Sequence, residues 1–329
     1  MSAFLDRLLR GPCLLLDGGL GSELIARGLP PGAPPDLWTL ERPDELAAVH
    51  RAYVTAGSEA IHANTFGANG ARLTRYGLEG RVADLNRTAV ALARDSGARF
   101  VIADVGPTGE YLPPVGKGDP ARWREHFTQQ AALLAETGVD ALHIETMTDV
   151  REALLALESL RAAAPALPVL VSLTFERKRR GFFSIMGDPV VSSLMRLAAA
   201  GAVAVGANCS LVSPDMRDLA REVLAGADGR DGAGAPGSAA ASDAAVAYGA
   251  QGAASLRLVL QPNAGRPQAT ADGVHYAQTP QEFAEDLASL FPDPRIAALG
   301  GCCGTDPRFI VALRARMTER ALARPAGAP

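Results

Sequence analysis

The sequence predicts an α/β protein, a closed (β/α)8 barrel folded as one domain, and three observations lead there. Eight short, mostly apolar runs recur from end to end of the 329-residue chain. Helix-period segments separate them, as parallel strands covered by helices require. The polar residues gather at the C-terminal ends of the runs, where barrels of this kind place their reactive groups. An open doubly wound sheet is the alternative. It is disfavoured because no glycine-rich nucleotide turn follows an early strand and opens a helix.

In order, the expected strands are "CLLLDGG" (13–19), "AIHANTF" (60–66), "FVIADVG" (100–106), "ALHIETM" (141–147), "VLVSLTF" (169–175), "AVAVGANC" (202–209), "LRLVLQPNAG" (256–265) and "IAALGGCCG" (296–304). The segments "PDELAAVHRAYVTAG", "RVADLNRTAVALARDSG" and "ARWREHFTQQAALLAETG" close on Gly57, Gly97 and Gly138, which suits the left-handed position after a helix. Residues 226–254, rich in Gly, Ala, Ser and Asp, break the rhythm and read as a flexible surface insertion. "ARPAGAP" reads as a frayed C-terminal tail. The basic run "ERKRRGF" (176–182) reads as a solvated loop.

Composition narrows the function classes. The chain is 48% hydrophobic and 21% charged with a net charge of −4, which gives no electrostatic case for nucleic acid or an anionic membrane. No window approaches the roughly 18 apolar residues of a membrane span, and the N-terminal apolar run is too short for a signal segment. A cytoplasmic location is expected. Four cysteines do not make a disulfide framework in a chain of this size.

Three of those cysteines fall at strand ends. Cys209 ends the sixth run, and Cys302 and Cys303 stand side by side in "GGCCGT" at the end of the eighth. One strand separates these two ends around a barrel, so the sulfurs can converge. Three thiolates with one open position describe a catalytic zinc site, since structural zinc closes its shell with four ligands. Cys13 lies near the opposite end of its strand. Consecutive side chains alternate faces in a regular strand, so the backbone must bend for both to reach one metal, and Gly300, Gly301 and Gly304 are placed to allow it. Two plainer readings stand beside this one: a pair of small buried residues, and a strained redox couple. Glu145, at the end of the fourth run, shares a face with His143 and Ala141 and needs a cationic partner, either an arginine or a substrate ammonium. The "DGGLGS" turn after the first run can receive a carboxylate on its backbone N–H groups. His62 and His143 read equally as hydrogen-bonded core residues or as catalytic ones. No Ser/His/Asp arrangement is visible.

The stretches "LLLDGGLGSELIARG", "HANTFGAN", "GANCS", "QPNAG" and "GGCCGT" resemble the homocysteine S-methyltransferase family, from Leu14 to about residue 315 apart from the 226–254 insertion. That family includes betaine– and S-methylmethionine–homocysteine methyltransferases and the homocysteine-binding module of cobalamin-dependent methionine synthase. The resemblance implies a (β/α)8 barrel with zinc on Cys209, Cys302 and Cys303. It places the substrate-binding turn at Asp17, Gly18 and Gly19, and the glutamate for the homocysteine amine at Glu145. Asn208 of "GANCS" and Asn263 of "PNAG" are expected among the substrate-binding residues, with Asn263 near the metal, where it could occupy the open position when substrate is absent. Zinc coordination deprotonates a thiol whose free pKa is roughly 8.5, so the acceptor sulfur becomes nucleophilic without a general base. The expected reaction methylates homocysteine to methionine from a small onium donor such as S-methylmethionine or a betaine. A corrinoid protein as donor and another thiol or selenol as acceptor stay open. Trp38, Phe66 and Tyr111 are the aromatics expected near a cationic donor.

Overall fold

The structure is a computed structural model and describes residues 1–30, 32–229, 256–270 and 273–322. Most of the expected insertion and the whole of the expected tail lie outside the described residues. Gly226 and Ala227, counted with the insertion in the sequence reading, are instead the last turn of the helix Ser213–Ala227.

Eight parallel strands form one sheet: β1 (Leu14–Leu15), β2 (Ala60–Ala63), β3 (Phe100–Val105), β4 (Ala141–Met147), β5 (Val169–Leu173), β6 (Ala204–Val212), β7 (Leu258–Asn263) and β8 (Ile296–Leu299). Their order is β1-β8-β7-β6-β5-β4-β3-β2, so β1 and β2 are the two ends that meet at the seam. One backbone bond, Glu59 N–H to the Leu15 carbonyl at 2.8 Å, draws the seam together. Helices on the outside complete the (β/α)8 barrel. Their starts are set by capping side chains, among them Asp119, Asp149 and a reciprocal Thr279–Glu282 box. The three glycines expected to follow helices all have left-handed φ: 116° at Gly57, 83° at Gly97 and 75° at Gly138.

Alternation along the strands sorts the barrel interior into layers. Leu14, Leu16, Ala60, Phe100, Ile102, Ala141, Leu170, Ala204 and Val259 form the lower, apolar plug, closed by Phe4 and Leu8 of the N-terminal helix Ala3–Arg10. His62, His143 and Ser172 lie above it, and Asp104, Glu145, Asn208 and Gln261 follow near the mouth, all buried. The larger core lies between sheet and helices around Trp123, Tyr53, Phe127 and Phe283.

β1 and β8 fall furthest short of their runs. β1 stops at Leu15 because Asp17 leaves the ladder to bond the β8 loop and His62, and β8 stops at Leu299 because Gly300 onward turns inward. The basic run is not a loop. It forms the antiparallel hairpin Glu176–Lys178 with Gly181–Phe183, in which Arg177 pairs with Asp215 and Asp218 and lies over the Phe182 ring.

Gly206 sets the tightest tolerance in the barrel, because a Cβ there would stand 1.7 Å from the Val259 carbonyl oxygen of the adjacent strand. Gly206→Ala is expected to cost at least about 3 kcal/mol, since the clash is with backbone that cannot yield. Chemical denaturation reads this directly, and a variant as stable as the parent would refute it.

Candidate active site

The three strand-end cysteines meet at the barrel mouth. The Cys209 and Cys303 sulfurs are 3.8 Å apart and those of Cys302 and Cys303 3.9 Å, and all three lie within 4.8 Å of one another. A tetrahedral ion with metal–sulfur bonds of about 2.3 Å separates its ligands by about 3.8 Å. The spacing and the soft donors therefore fit a zinc-like dication. Hydrogen bonds from the Cys302 and Cys303 thiols pull the Cys209 thiol down to about 3, with the Ser210 backbone and Asn263 adding to the effect. The same contact with Cys209 pushes Cys302 up and Cys303 to about 12. The Tyr276 hydroxyl also hydrogen-bonds the Cys303 sulfur.

The bend that aims these sulfurs lies partly where the sequence reading did not look. Cys209 and Ser210 themselves hold left-handed backbone, with φ of 58° and 45°, in a bulged part of β6 opposite β7. Each costs of order 1 kcal/mol, and the Ser210 hydroxyl donating to the Phe175 carbonyl at 2.8 Å helps to offset it. Of the glycines around the cysteine pair, only Gly304 has positive φ (78°). Gly300 and Gly301 are needed for space instead. A Cβ at Gly300 would lie 2.5 Å from the Asp17 carbonyl, and one at Gly301 would lie 2.3 Å from the Thr305 hydroxyl.

The sulfurs open onto a cavity of about 300 Å3, at the small end of the range for ligand sites. Gly18, Gly19, Leu20 and Gly21 line one side and Asp104, Glu145 and Gln261 another, while Phe66, Arg72 and Tyr76 stand towards the mouth. The Gly19 N–H is taken by Thr305, at 3.2 Å to its carbonyl and 3.0 Å to its hydroxyl. An incoming carboxylate is left with the amides of Gly18, Leu20 and Gly21. Glu145 is held by Asn208 Nδ2 at 3.1 Å, and Asn208 also bonds Thr146, whose φ is 59°. Burial raises the pKa of Glu145, although nearby His62 and a hydrogen bond from Asp104 hold it down. Burial and the Glu145 charge lift Asp104 far above the usual carboxylate range. Asp104 therefore carries a proton and donates it to Glu145, and the pair presents one net negative charge. Asp104 Oδ1 is buried without a partner, as are Gln261 Oε1 and Asn263 Oδ1.

Asp17 differs from its neighbours in the turn. Its carboxylate does not line the cavity; it accepts from His62 N–H at 2.8 Å and meets His62 Nδ1 at 2.7 Å. His62 Nε2 lies 3.0 Å from His143 Nδ1, and His143 Nε2 lies 2.8 Å from the Ser172 hydroxyl. A series of Asp, His and Ser does exist, contrary to the sequence reading. Its links span 45, 81 and 29 residues, which hides it from any local motif. Ser172 is fully buried below the cavity, so the series does not present a nucleophile. His62, His143 and Asp104 also lie within metal-ligating distance of one another. Their ring nitrogens are already engaged with each other, with Asp17 and with Ser172, which leaves that group better described as a hydrogen-bonded chain.

Among the expected aromatics, Phe66 lines the cavity, Trp38 is buried under Arg42, and Tyr111 stands outside the lining. Asp104, Arg72, Tyr76 and Gln261 were missed. Asp104 sits at alternating register with Ile102 on β3, the signal that could have exposed it.

The profile of the family described as Homocysteine S-methyltransferase matches residues 14–317. The chain belongs to that family. Methionine synthase of Mycobacterium tuberculosis (strain ATCC 25618 / H37Rv) is 30% identical over 319 aligned residues, which cover 89% of this chain and 24% of that protein. Methionine synthase of Mycobacterium leprae (strain TN) is 28% identical, covering 82% and 21%. The chain thus spans about a quarter of the length of these curated relatives. Among solved structures, the metallated form of the homocysteine methyltransferase MmuM from Escherichia coli superposes with a TM-score of 0.68 at 25% identity, covering 95% of this chain and 98% of that one. Among the described residues no helix is long and apolar enough to cross a membrane.

Asp36 forms part of the cavity wall and accepts from the Gly67 N–H at 2.9 Å. Burial raises its carboxyl from 3.8 to about 6. A group raised in the fold contributes stability that is present below its unfolded pKa and lost as pH rises through the folded value. Asp36→Asn is therefore expected to leave thermal stability unchanged at pH 4 and to raise it at pH 7.5, by up to about 3 kcal/mol. Scanning calorimetry at the two pH values reads the difference, and a variant weakened equally at both would refute the assignment.

Proposed function

We propose that this chain binds homocysteine and zinc in the cavity and methylates the homocysteine sulfur from a small onium donor, giving methionine. The observation that carries the reading is the sulfur triad at tetrahedral spacing, opening onto an amino-acid-sized cavity that also holds the hydrogen-bonded carboxyls of Asp104 and Glu145. Zinc on Cys209, Cys302 and Cys303 would supply a Lewis-acid position that lowers the pKa of an incoming thiol.

The chain's own residues account for the rest. Glu145, backed by Asp104, meets the substrate ammonium, and the unpartnered Asp104 Oδ1 is a further acceptor for it. The amides of Gly18, Leu20 and Gly21 receive the carboxylate. The acceptor sulfur then lies towards the cysteines with its lone pair facing the mouth. A sulfur–carbon bond forms there as the donor's carbon–nitrogen or carbon–sulfur bond breaks, and the bonding pair leaves with the neutral amine or thioether. Phe66 and Tyr76 offer ring faces to the cationic donor. No proton moves in the transfer step.

A second reading, with a corrinoid-bearing protein as donor, has its own support. Ile25, Tyr76, Val115, Ile185 and Val274 are exposed, and each lies between a strand and the covering helix that follows it, around the mouth. The relatives named methionine synthase are about four times as long as the stretch they share with this chain.

Purified protein is expected to carry about one zinc per chain, and Cys302→Ser or Cys303→Ser to lose it together with thiol methylation. Elemental analysis and an assay of homocysteine against a panel of onium donors test this. Turnover that begins only when a methylated corrinoid protein is added selects the second reading. Metal-free protein with full activity removes both.

A further inference from the structure

The chain Asp17–His62–His143–Ser172 joins β1, β2, β4 and β5, with His62 in the lining of the cavity and His143 and Ser172 fully buried beyond it. It does two things at the seam. β1 and β2 share one backbone bond, from Glu59 to Leu15, and the following rung is made by the Asp17 carboxylate, which takes the His62 N–H in place of a carbonyl. The Asp17 carbonyl in turn accepts from the Gly301 N–H at 2.9 Å, one residue before Cys302. Asp17 therefore sets both the Gly18–Gly19 wall of the cavity and the start of the cysteine loop, and the His62 ring sets Asp17.

The His62 ring is itself set by His143. Burial opposes charge on His62, but the Asp17 charge and hydrogen bond outweigh it and raise the His62 pKa. Burial and the neighbouring His62 hold His143 far below the usual histidine range. The Asp17 carboxylate can only accept, so His62 donates to it from Nδ1. The raised His62 pKa favours a second proton on Nε2, donated to His143 Nδ1. His143 is neutral, and its Nε2–H donates to the Ser172 hydroxyl. Every ring nitrogen is satisfied in this arrangement, and Ser172 and His143 are both fully buried, so no water competes for the bond between them.

We propose that His143 is a positioning residue for substrate recognition: through His62 it holds the Asp17 turn at the geometry that receives the amino-acid end of the acceptor. Remove the acceptor at Nδ1, and His62 Nε2 loses its protein partner. His62 then sheds its proton or rotates, and Asp17 becomes a buried carboxylate without its cation. The displacement falls on the turn, which contacts the substrate, and not on the sulfurs, which are held from β6 and β7 as well. The effect belongs to binding and not to methyl transfer. The inference rests on the homocysteine reading proposed above.

The experiment compares wild type, His143→Leu and His143→Gln. His143→Leu is expected to raise the KM for homocysteine about ten-fold with kcat within about three-fold and zinc content unchanged, a loss of uniform binding. His143→Gln, whose amide can accept from His62 and donate to Ser172, is expected to recover most of the loss. A KM for His143→Leu within about two-fold of wild type, or a glutamine variant no better than leucine, overturns the proposal. Nitrogen-15 NMR of the wild-type histidines gives a readout independent of any variant's folding: it should show one doubly protonated buried ring and one neutral Nε2–H ring, and two neutral rings would overturn the arrangement. If wild type binds no homocysteine, the proposed function fails instead, and the NMR pattern still decides the hydrogen-bonded chain.

Discussion

The site depends on a stitching of two loops that are distant in sequence. The turn after β1 and the cysteine loop after β8 are bonded to each other through Gly301 N–H to Asp17, Gly19 N–H to Thr305, and Gly304 N–H to the Ser22 hydroxyl. The Tyr53 hydroxyl holds the Thr305 carbonyl from behind. On the other side, Cys302 N–H reaches Pro262 and the Cys303 carbonyl receives Ala264 N–H, which ties the same loop to β7. The loop is thus fixed from both flanks, and each glycine in it is held where a side chain would collide with its neighbours. Two adjacent cysteines can aim at one point only because their backbone has been taken out of the sheet and secured in this way. A pre-set first shell is what a metal site requires if binding is not to be spent on ordering loops.

Charge is arranged with the same economy. Asp17, Asp104 and Glu145 lie close together in the upper barrel, and three bare carboxylates would be intolerable at that depth. Two devices reduce them. Asp17 is matched by His62, and Asp104 and Glu145 share one proton. What remains is a lower charge beside a group of sulfurs, which the barrel can hold at that depth. The hydrogen-bonded histidines are therefore part of the electrostatics of the site although neither ring touches the sulfurs.

Much of this was legible in the sequence. The eight apolar runs gave the barrel, and strand-end position alone brought Cys209 to Cys302 and Cys303 and Glu145 to the same mouth. Glycine at 57, 97 and 138 marked left-handed turns for a reason that is purely steric. Other features required three dimensions. Asp104 looks like one more polar residue in "FVIADVG" until Glu145 is found opposite it. His62, His143 and Ser172 belong to separate strands, and their partnership follows from register around the ring, which no local pattern encodes. The strain at Thr146, Cys209 and Ser210 is invisible because ordinary residues hold conformations usually left to glycine. "ERKRRGF" misled because a charged run says nothing about pairing: Arg177 lies over Phe182 and pairs with the acidic first turns of the helix Ser213–Ala227.

The apolar plug beneath the histidines, sealed by Phe4 and Leu8, has one more implication. Among the described residues, a vessel stoppered at its base is entered from the mouth, so its guests must queue. Whatever sits against the carboxyl pair has to arrive before anything occupies the space beside Phe66 and Tyr76, and can depart only after that space has been vacated. For the reaction proposed above, this shape would have the acceptor enter before the donor and leave after it.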